Sequence, residues 1–483
     1  MVSGIWFQTF TAITASFGSA AMGLLNVWPS YTKYLYTAND TVLLTNPMTD
    51  SEVALLGSLP SLGGMLGTGV VGILIDKFGR RIGGLAITIP FLLSWAIIHM
   101  SSTSVLVLMA RFLGGIAGGA YLVYGPVFIS EVADDSIRGS LATFPNLFYG
   151  IGVLLSYILG WFSSYTVIIW INIMVAVVCC LLVMSVKESP IFLLRQNREE
   201  DAINAIAHYK GSSPTSVVVL KELSKLKLQL NPIVELIPVN EDSLSTAEDA
   251  EKEKLNSENI IPEVQQKVSS WRTLISSPSS RRAFLTLFII ITVQVFMGLV
   301  PVQVFAKTVF NKADPSKADL FSVLFALMLI FGCFVTAFIS DKAGRRVLVI
   351  SSSTLVAISM VILGAQTQYS FGPAWVTVVI ILLYCFFFMC GAGTIPYVLL
   401  SEIFTPEVQN IASLLIGEWV WFLNFAIIAV FPYITSCLGM HGAFYIFAGF
   451  GVINAIVSFI IVPETKGLSN IDIQEAFLNR RRR

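Results

Sequence analysis

DKFGRR at residues 76–81 returns as DKAGRR at residues 341–346, each directly after an apolar run. Around these two hexamers the chain repeats itself in one order. SEV at 130–132 returns as SEI at 401–403, and KESP at 187–190 is answered by PETKG at 463–467. Glu131 follows Asp76 by 55 positions and Glu188 follows Glu131 by 57. In the second set Glu402 follows Asp341 by 61 and Glu464 follows Glu402 by 62. Three charged motifs in the same order at near-equal spacing mark a duplication. Two repeated sets of spanning helices build a site at their interface, near the middle of the bilayer.

A spanning helix needs about 20 mostly apolar residues to cross a hydrocarbon core about 30 Å thick. Twelve such runs are present. The first six cover residues 7–28, 52–75, 82–100, 104–127, 140–163 and 165–186. The second six cover 283–306, 318–339, 347–365, 373–399, 410–434 and 440–462. The expected fold is therefore an all-α membrane protein with twelve transmembrane helices in two six-helix bundles, 1–186 and 283–465. A cytoplasmic central loop, 187–282, is expected to be partly helical, and 466–483 forms a tail. The first run lacks a basic leader and a small-residue cleavage site, so it is read as a span and not as a signal peptide.

Composition agrees with a lipid solvent. The 483 residues are 55% hydrophobic and 12% charged, with a mean hydropathy of +0.77. Lys plus Arg and Asp plus Glu both number 30, which removes any electrostatic reason to expect a nucleic-acid partner. The six cysteines mostly sit inside apolar runs and the three histidines stand singly, so no metal site and no cofactor are expected. No acid pair, metal set or nucleophile with a base falls within the spans, which argues against an intramembrane enzyme. The expected partners are the lipid bilayer and a small solute, with the chain acting as a monomer.

Basic residues set the orientation. Lys77, Arg80, Arg81, Lys342, Arg345 and Arg346 lie in the loops after the second and eighth spans, and the chain ends in arginines at 480–483. These belong on the cytoplasmic side of a cell membrane, which places both termini inside. Asn39-Asp40-Thr41, the one N-x-[ST] acceptor, then falls in the first external loop, where Asn39 is a glycosylation candidate.

Together GRR after spans 2 and 8, ARFLGG at 110–115, SEVADDSIRG at 130–139, ESP at 188–190, SEIFTPE at 401–407 and PETKG resemble the sugar porter branch of the major facilitator superfamily. The resemblance covers nearly the whole chain and is strongest to the facilitated trehalose transporter and facilitative glucose transporter types. It implies two rocking bundles and a polyol-shaped substrate. It also implies a gating role for a network of Asp76, Arg80, Arg81, Glu131, Arg138 and Glu188 in the first half, and of Asp341, Arg345, Arg346, Glu402 and Glu464 in the second. Physical reasoning reaches the same residues except Glu188: opposite charges collected at helix ends make partly desolvated pairs, and separating them would bias which side is open. Gln409 stands where the family usually has an arginine, so the second latch is expected to be the weaker.

For the solute site the resemblance points to Gln294 in VQVFMGLVPVQ, to Asn146 in span 5, to Tyr397 in GTIPY, and to Trp421 and Asn424 in span 11. Val295, Val300 and Leu329 replace family amides, leaving a less polar pocket. Each unpaired hydroxyl costs about 1 to 3 kcal/mol, so substrate identity stays open between a hexose or trehalose-like sugar and another small neutral solute. No acid occurs before Asp40, which favours a facilitative uniporter. Glu418 in span 11 is the candidate proton site that leaves proton-coupled symport open, and a non-transporting sugar sensor is a further alternative. Residues 188–208 carry helical periodicity. The stretch 241–263 holds eight acids against Lys252 and Lys254, and disorder is expected there.

Overall fold

The computed structural model describes residues 2–41, 43–230 and 270–466, with residues 468, 472, 473 and 477. The acidic stretch 241–263 and the arginines at 480–483 lie outside the described residues. Every regular element among the described residues is a helix. The first half holds α1 (Val2–Thr37), α2 (Asp50–Met100), α3 (Ser104–Val132), α4 (Asp135–Leu141), α5 (Phe144–Phe162) and α6 (Tyr165–Ser185). Three short helices follow: α7 (Pro190–Arg195), α8 (Glu199–Lys210) and α9 (Val217–Leu230). The second half holds α10 (Ser270–Ser276), α11 (Pro278–Val295), α12 (Leu299–Val304), α13 (Ala306–Asn311), α14 (Ala318–Ala343), α15 (Arg345–Tyr369), α16 (Ala374–Met389), α17 (Ile395–Glu402) and α18 (Pro406–Ile461).

Nine helices among the described residues are long and apolar enough to cross a membrane, against twelve expected runs. Backbone geometry accounts for the difference. At 51 and 56 residues, α2 and α18 each contain two runs, joined at Gly79 (φ 88°, ψ 173°) and Gly439 (φ 71°, ψ 172°), where the chain leaves helical geometry. The tenth run is divided between α16 and α17, and α16 alone has 16 residues. The seventh run breaks at Gly298 into α11 and α12. Tyr384 of α16 donates to the Met297 carbonyl at 2.9 Å, satisfying an acceptor that the break exposes.

Side-chain size decides which spans lie inside. α1 is 78% buried over its span and α6 only 33%. Buried Thr11, Thr14, Ser16, Ser19, Ser30 and Thr32 let neighbours approach α1 closely. By contrast α6 exposes Trp170, Met174, Val177 and Leu181 on a face suited to acyl chains. The tightest pairing is α2 on α3. A Cβ on Gly67 would strike the Ile116 carbonyl and one on Gly119 the Gly64 carbonyl, so backbone meets backbone there.

Contacts group the spans into two halves. In the first, α1 packs on α3, α5 and α6, and α2 on α3 and α6; in the second, α18 packs on α11 and α15, and α16 on α14 and α15. The halves meet where α2 lies along α18, α5 along α14, and the end of α1 against α12 and α13. The expected helix over 188–208 appears as α7 and α8, interrupted at residues 196–198. These two pack with α9 through Ile206, Ala207, Val219, Leu223 and Leu226.

Candidate functional site

The duplicated motifs form two matching charge networks. After Gly79 the chain enters the second arm of α2, whose first amides lack intrahelical acceptors. Glu188 supplies the acceptors: Arg80 N donates to Glu188 Oε1 at 2.7 Å and Arg81 N to Oε2 at 3.1 Å. At the start of α15, Arg345 N and Arg346 N donate to Glu464 at 2.9 and 3.2 Å. Negative charge at a helix start is also favoured by the helix dipole. The arginine side chains repeat the match. Arg80 Nη1 donates to the Ile75 carbonyl and Arg345 Nη1 to the Ser340 carbonyl, both at 3.0 Å. Arg81 and Arg346 donate to the Met184 and Phe459 carbonyls, both at 2.7 Å.

Across the helix ends Arg80 pairs with Glu131 at 2.6 Å and with Asp76 at 3.3 Å, while Arg345 pairs with Glu402 at 2.9 Å. The Arg80 and Glu131 side chains are 3% and 9% exposed, against 13% and 25% for Arg345 and Glu402, so solvent screens the second pair more. Thr465 Oγ1 adds a hydrogen bond to Glu402 at 2.8 Å. Arg138 donates to the Ala133 carbonyl at 2.9 Å. The Asp341 side chain lies outside the described residues. Among the described residues, the ion pairs of each network stay inside one half. They fasten spans within a half, and the seam between the halves is held by other groups.

Those groups are uncharged, apart from Lys33, whose ammonium lies 5.9 Å from the centre of the Phe305 ring. Lys307 N donates to Ser30 Oγ at 2.9 Å, Tyr34 Oη to Thr308 Oγ1 at 3.2 Å, and Asn311 Nδ2 to Tyr34 Oη at 3.1 Å. Deeper in, Tyr157 Oη donates to the Gln303 carbonyl at 2.5 Å and Gln303 Nε2 to Tyr149 Oη at 3.2 Å. The first three lie at the face opposite the GRR loops, where α1 ends, and Tyr149 stands midway along its span. Trp421 Nε1 donates to Thr68 Oγ1 at 2.9 Å, where α18 crosses α2.

The five expected solute residues are placed unequally. Gln294 is buried and its Oε1 has no partner; Asn424 Oδ1 is likewise enclosed and unpartnered. The Trp421 ring packs on Gly64 of α2. Asn146 is exposed, and Tyr397 is 43% exposed. No hydrogen bond joins the five among the described residues. Glu418 is half-buried, with Oε1 unpartnered and turned to Gly69 of α2 across the seam. Asn39 is exposed in the turn that follows α1, on the face opposite the GRR loops. Two cavities of about 120 and 240 Å³ lie away from the seam, one between α3 and α8–α9 and one beside Gln366 and Phe444.

Sequence reasoning missed one polar hub at the basic face. Gln8 Nε2 donates to Asp134 Oδ2 at 3.0 Å and to the Tyr209 carbonyl at 2.9 Å, while Asp134 N donates to Gln8 Oε1 at 2.8 Å. Lys210 pairs with Asp134 and, at 3.0 Å, with Glu222. Burial works against the Lys210 charge, but hydrogen bonds to Asp134 and Glu222 outweigh it and raise the pKa. Burial and the charge of Lys187 lower that of His208, whose ring lies 4.1 Å from that of Phe7. A lone glutamine near the start of an apolar run was the available signal. Its partner lies 126 positions away.

The family described as Sugar (and other) transporter matches residues 9–235 and 239–477. The facilitated trehalose transporter Tret1-1 of Drosophila simulans is 25% identical over 486 residues, covering 99% of this chain and 53% of that protein. Tret1 of Anopheles gambiae is 24% identical, covering 99% of this chain and 57% of its own length. The chain thus spans about half the length of the curated relatives it matches. Among solved structures, the inward open conformation of the xylose transporter XylE from E. coli has a TM-score of 0.75 at 19% identity, covering 96% of this chain and 98% of that one. Its partially occluded inward open conformation has a TM-score of 0.74 at 19% identity, covering 96% and 99%. These two share the fold. With the family match running over nearly all its length, the chain belongs to the sugar (and other) transporter family.

Proposed function

We propose that the chain carries a sugar across a cell membrane by alternating access, as a facilitative uniporter. One observation carries the reading: apart from Trp421–Thr68, the hydrogen bonds between the halves lie from mid-span to the face opposite the GRR loops, while the ion pairs stay within each half. Two internally braced bodies sealed toward one face form a carrier caught open toward the other. In this reading that other face, with its basic loops, is the cytoplasmic one, and both termini are inside. The sugar class rests on family membership and on the trehalose and xylose carriers that the chain resembles.

In this reading Gln294 and Asn424 offer their unpartnered carbonyls to the solute. Trp421 forms the apolar wall, and Asn146 and Tyr397 face the path. The two charge networks hold the helix ends of each half in register as the halves rock. Asn39 lies outside the cell and accepts a glycan, so treatment with an N-glycosidase should increase the mobility of the protein from cells and leave Asn39→Gln unchanged.

Proteoliposomes given glucose, fructose, trehalose and polyols, with and without a pH gradient, test the proposal. The expected result is saturable uptake and counterflow of one sugar, unaffected by the gradient and sharply reduced in Gln294→Ala. Solute binding without counterflow would identify a sensor. Uptake that rises several-fold with an imposed proton gradient, and loses that response in Glu418→Gln, would identify a symporter in place of a uniporter.

A further inference from the structure

A polar group at the seam lies outside the residues that the sequence motifs single out. Asn26 of α1 donates to Tyr149 Oη of α5 at 3.1 Å, and Gln303 of α12 donates to the same oxygen at 3.2 Å. Tyr157 Oη holds the Gln303 backbone carbonyl at 2.5 Å. Asn26 and Tyr149 belong to the first half and Gln303 to the second. An amide or phenol within a spanning segment is costly to leave unpaired.

A count of donors and acceptors shows spare capacity. The Tyr149 oxygen accepts twice, yet its own proton has no acceptor among the described residues. The side-chain carbonyls of Asn26 and Gln303 have no donor there, and each amide keeps a second N–H. The group therefore presents donors and acceptors side by side, without charge. An ion finds no counter-charge in it, and an apolar solute would leave all of it unpaired. A hydroxyl pair on adjacent carbons both donates and accepts, and it matches the set.

We propose that Asn26, Tyr149 and Gln303 form the carbohydrate-reading centre of this chain, contacting one vicinal hydroxyl pair of the solute. The assignment rests on the carrier reading and deepens it. Asn26 and Tyr149 hold the hydroxyls from the first half and Gln303 from the second. A solute hydroxyl placed there takes over the Gln303–Tyr149 bond, so occupancy replaces a direct link between the halves with one through the solute.

The test uses the full chain in proteoliposomes, with D-glucose, trehalose and the monodeoxy analogues of each as probes. A site that hydrogen-bonds a hydroxyl rejects the analogue lacking it. In the wild type, one analogue should compete about ten-fold more weakly than its parent sugar. In Tyr149→Phe the parent should weaken to the level of that analogue and the analogue should not change, so the discrimination disappears. Gln303→Met, of similar size, should remove discrimination at the neighbouring hydroxyl. If the wild type moves the sugar and both variants keep full discrimination, the centre is elsewhere and the carrier reading stands. A fall in turnover shared equally by sugar and analogues would assign the group a purely structural role and overturn the proposal. Failure of the wild type to move either sugar would sink the carrier reading and this centre with it.

Discussion

Gly79 and Gly344 show how much of the charge network rests on backbone geometry. Their φ values of 88° and 89°, with ψ of 173° and 155°, lie in a region that is essentially closed to residues with a Cβ. An added Cβ would also lie 2.5 Å from Glu188 Oε2 or Glu464 Oε2, the oxygens that accept from the next helix. Gly79→Ala and Gly344→Ala should each cost about 1 to 3 kcal/mol, read as a lower Tm in detergent. Gly72→Ala should show no such loss, because its Cβ would meet open space within a helix. The arginines should differ. Arg80→Ala leaves Glu131 buried without its partner and should cost about 3 to 5 kcal/mol. For Arg345→Ala the loss should be smaller, since Glu402 keeps Thr465 and is more exposed. The GRR motif was legible because it occurs twice; the role of the preceding glycine depends on a carboxylate more than 100 positions away.

At the scale of elements, the apolar runs were readable because a span must satisfy its backbone internally over a fixed length. Their junctions were less so. Gly298 looks like an ordinary small residue in an apolar run until φ is known, and Gly79 and Gly439, in the short links between runs, give no sign that one non-helical residue joins two helices there. The attachment of α8 to α1 was invisible, since it needs Gln8, Asp134 and Lys210 from three distant segments. This attachment should respond to acid. The His208 pKa is lowered in the folded chain, so the stability it contributes is present above its unfolded value of about 6.5 and is lost as pH falls below that. Amide protection in α8, taken relative to the intrinsic exchange rate at each pH, should fall between pH 7.5 and 5.5, and His208→Phe should remove the change. Lys210 carries the opposite shift: its contribution is complete below about 10.4 and fades only as pH rises beyond that, so it should be flat over the same interval.

For the whole molecule, the balance between the two open states depends on the seam. Ser30→Ala with Tyr34→Phe removes Lys307 N–Ser30, Tyr34–Thr308 and Asn311–Tyr34 together. At about 1 to 2 kcal/mol for the set, the population open toward that face should rise about five- to thirty-fold. A cysteine introduced along α12 and probed with a membrane-impermeant thiol reagent would read the shift. An unchanged labelling rate would show that these bonds do not hold the seam. Sequence period and charge were enough for the helical class, the repeated motifs and the arginine–glutamate pairs Arg80–Glu131 and Arg345–Glu402, because lipid enforces span length and a repeated motif needs no coordinates to be seen. Tertiary structure alone decided that each network closes inside its own half, that Gln294 and Asn424 are left unpartnered, and that Asn26, Tyr149 and Gln303 meet. A hydrogen bond depends on distances of a few ångströms between groups far apart along the chain, and no local pattern encodes them.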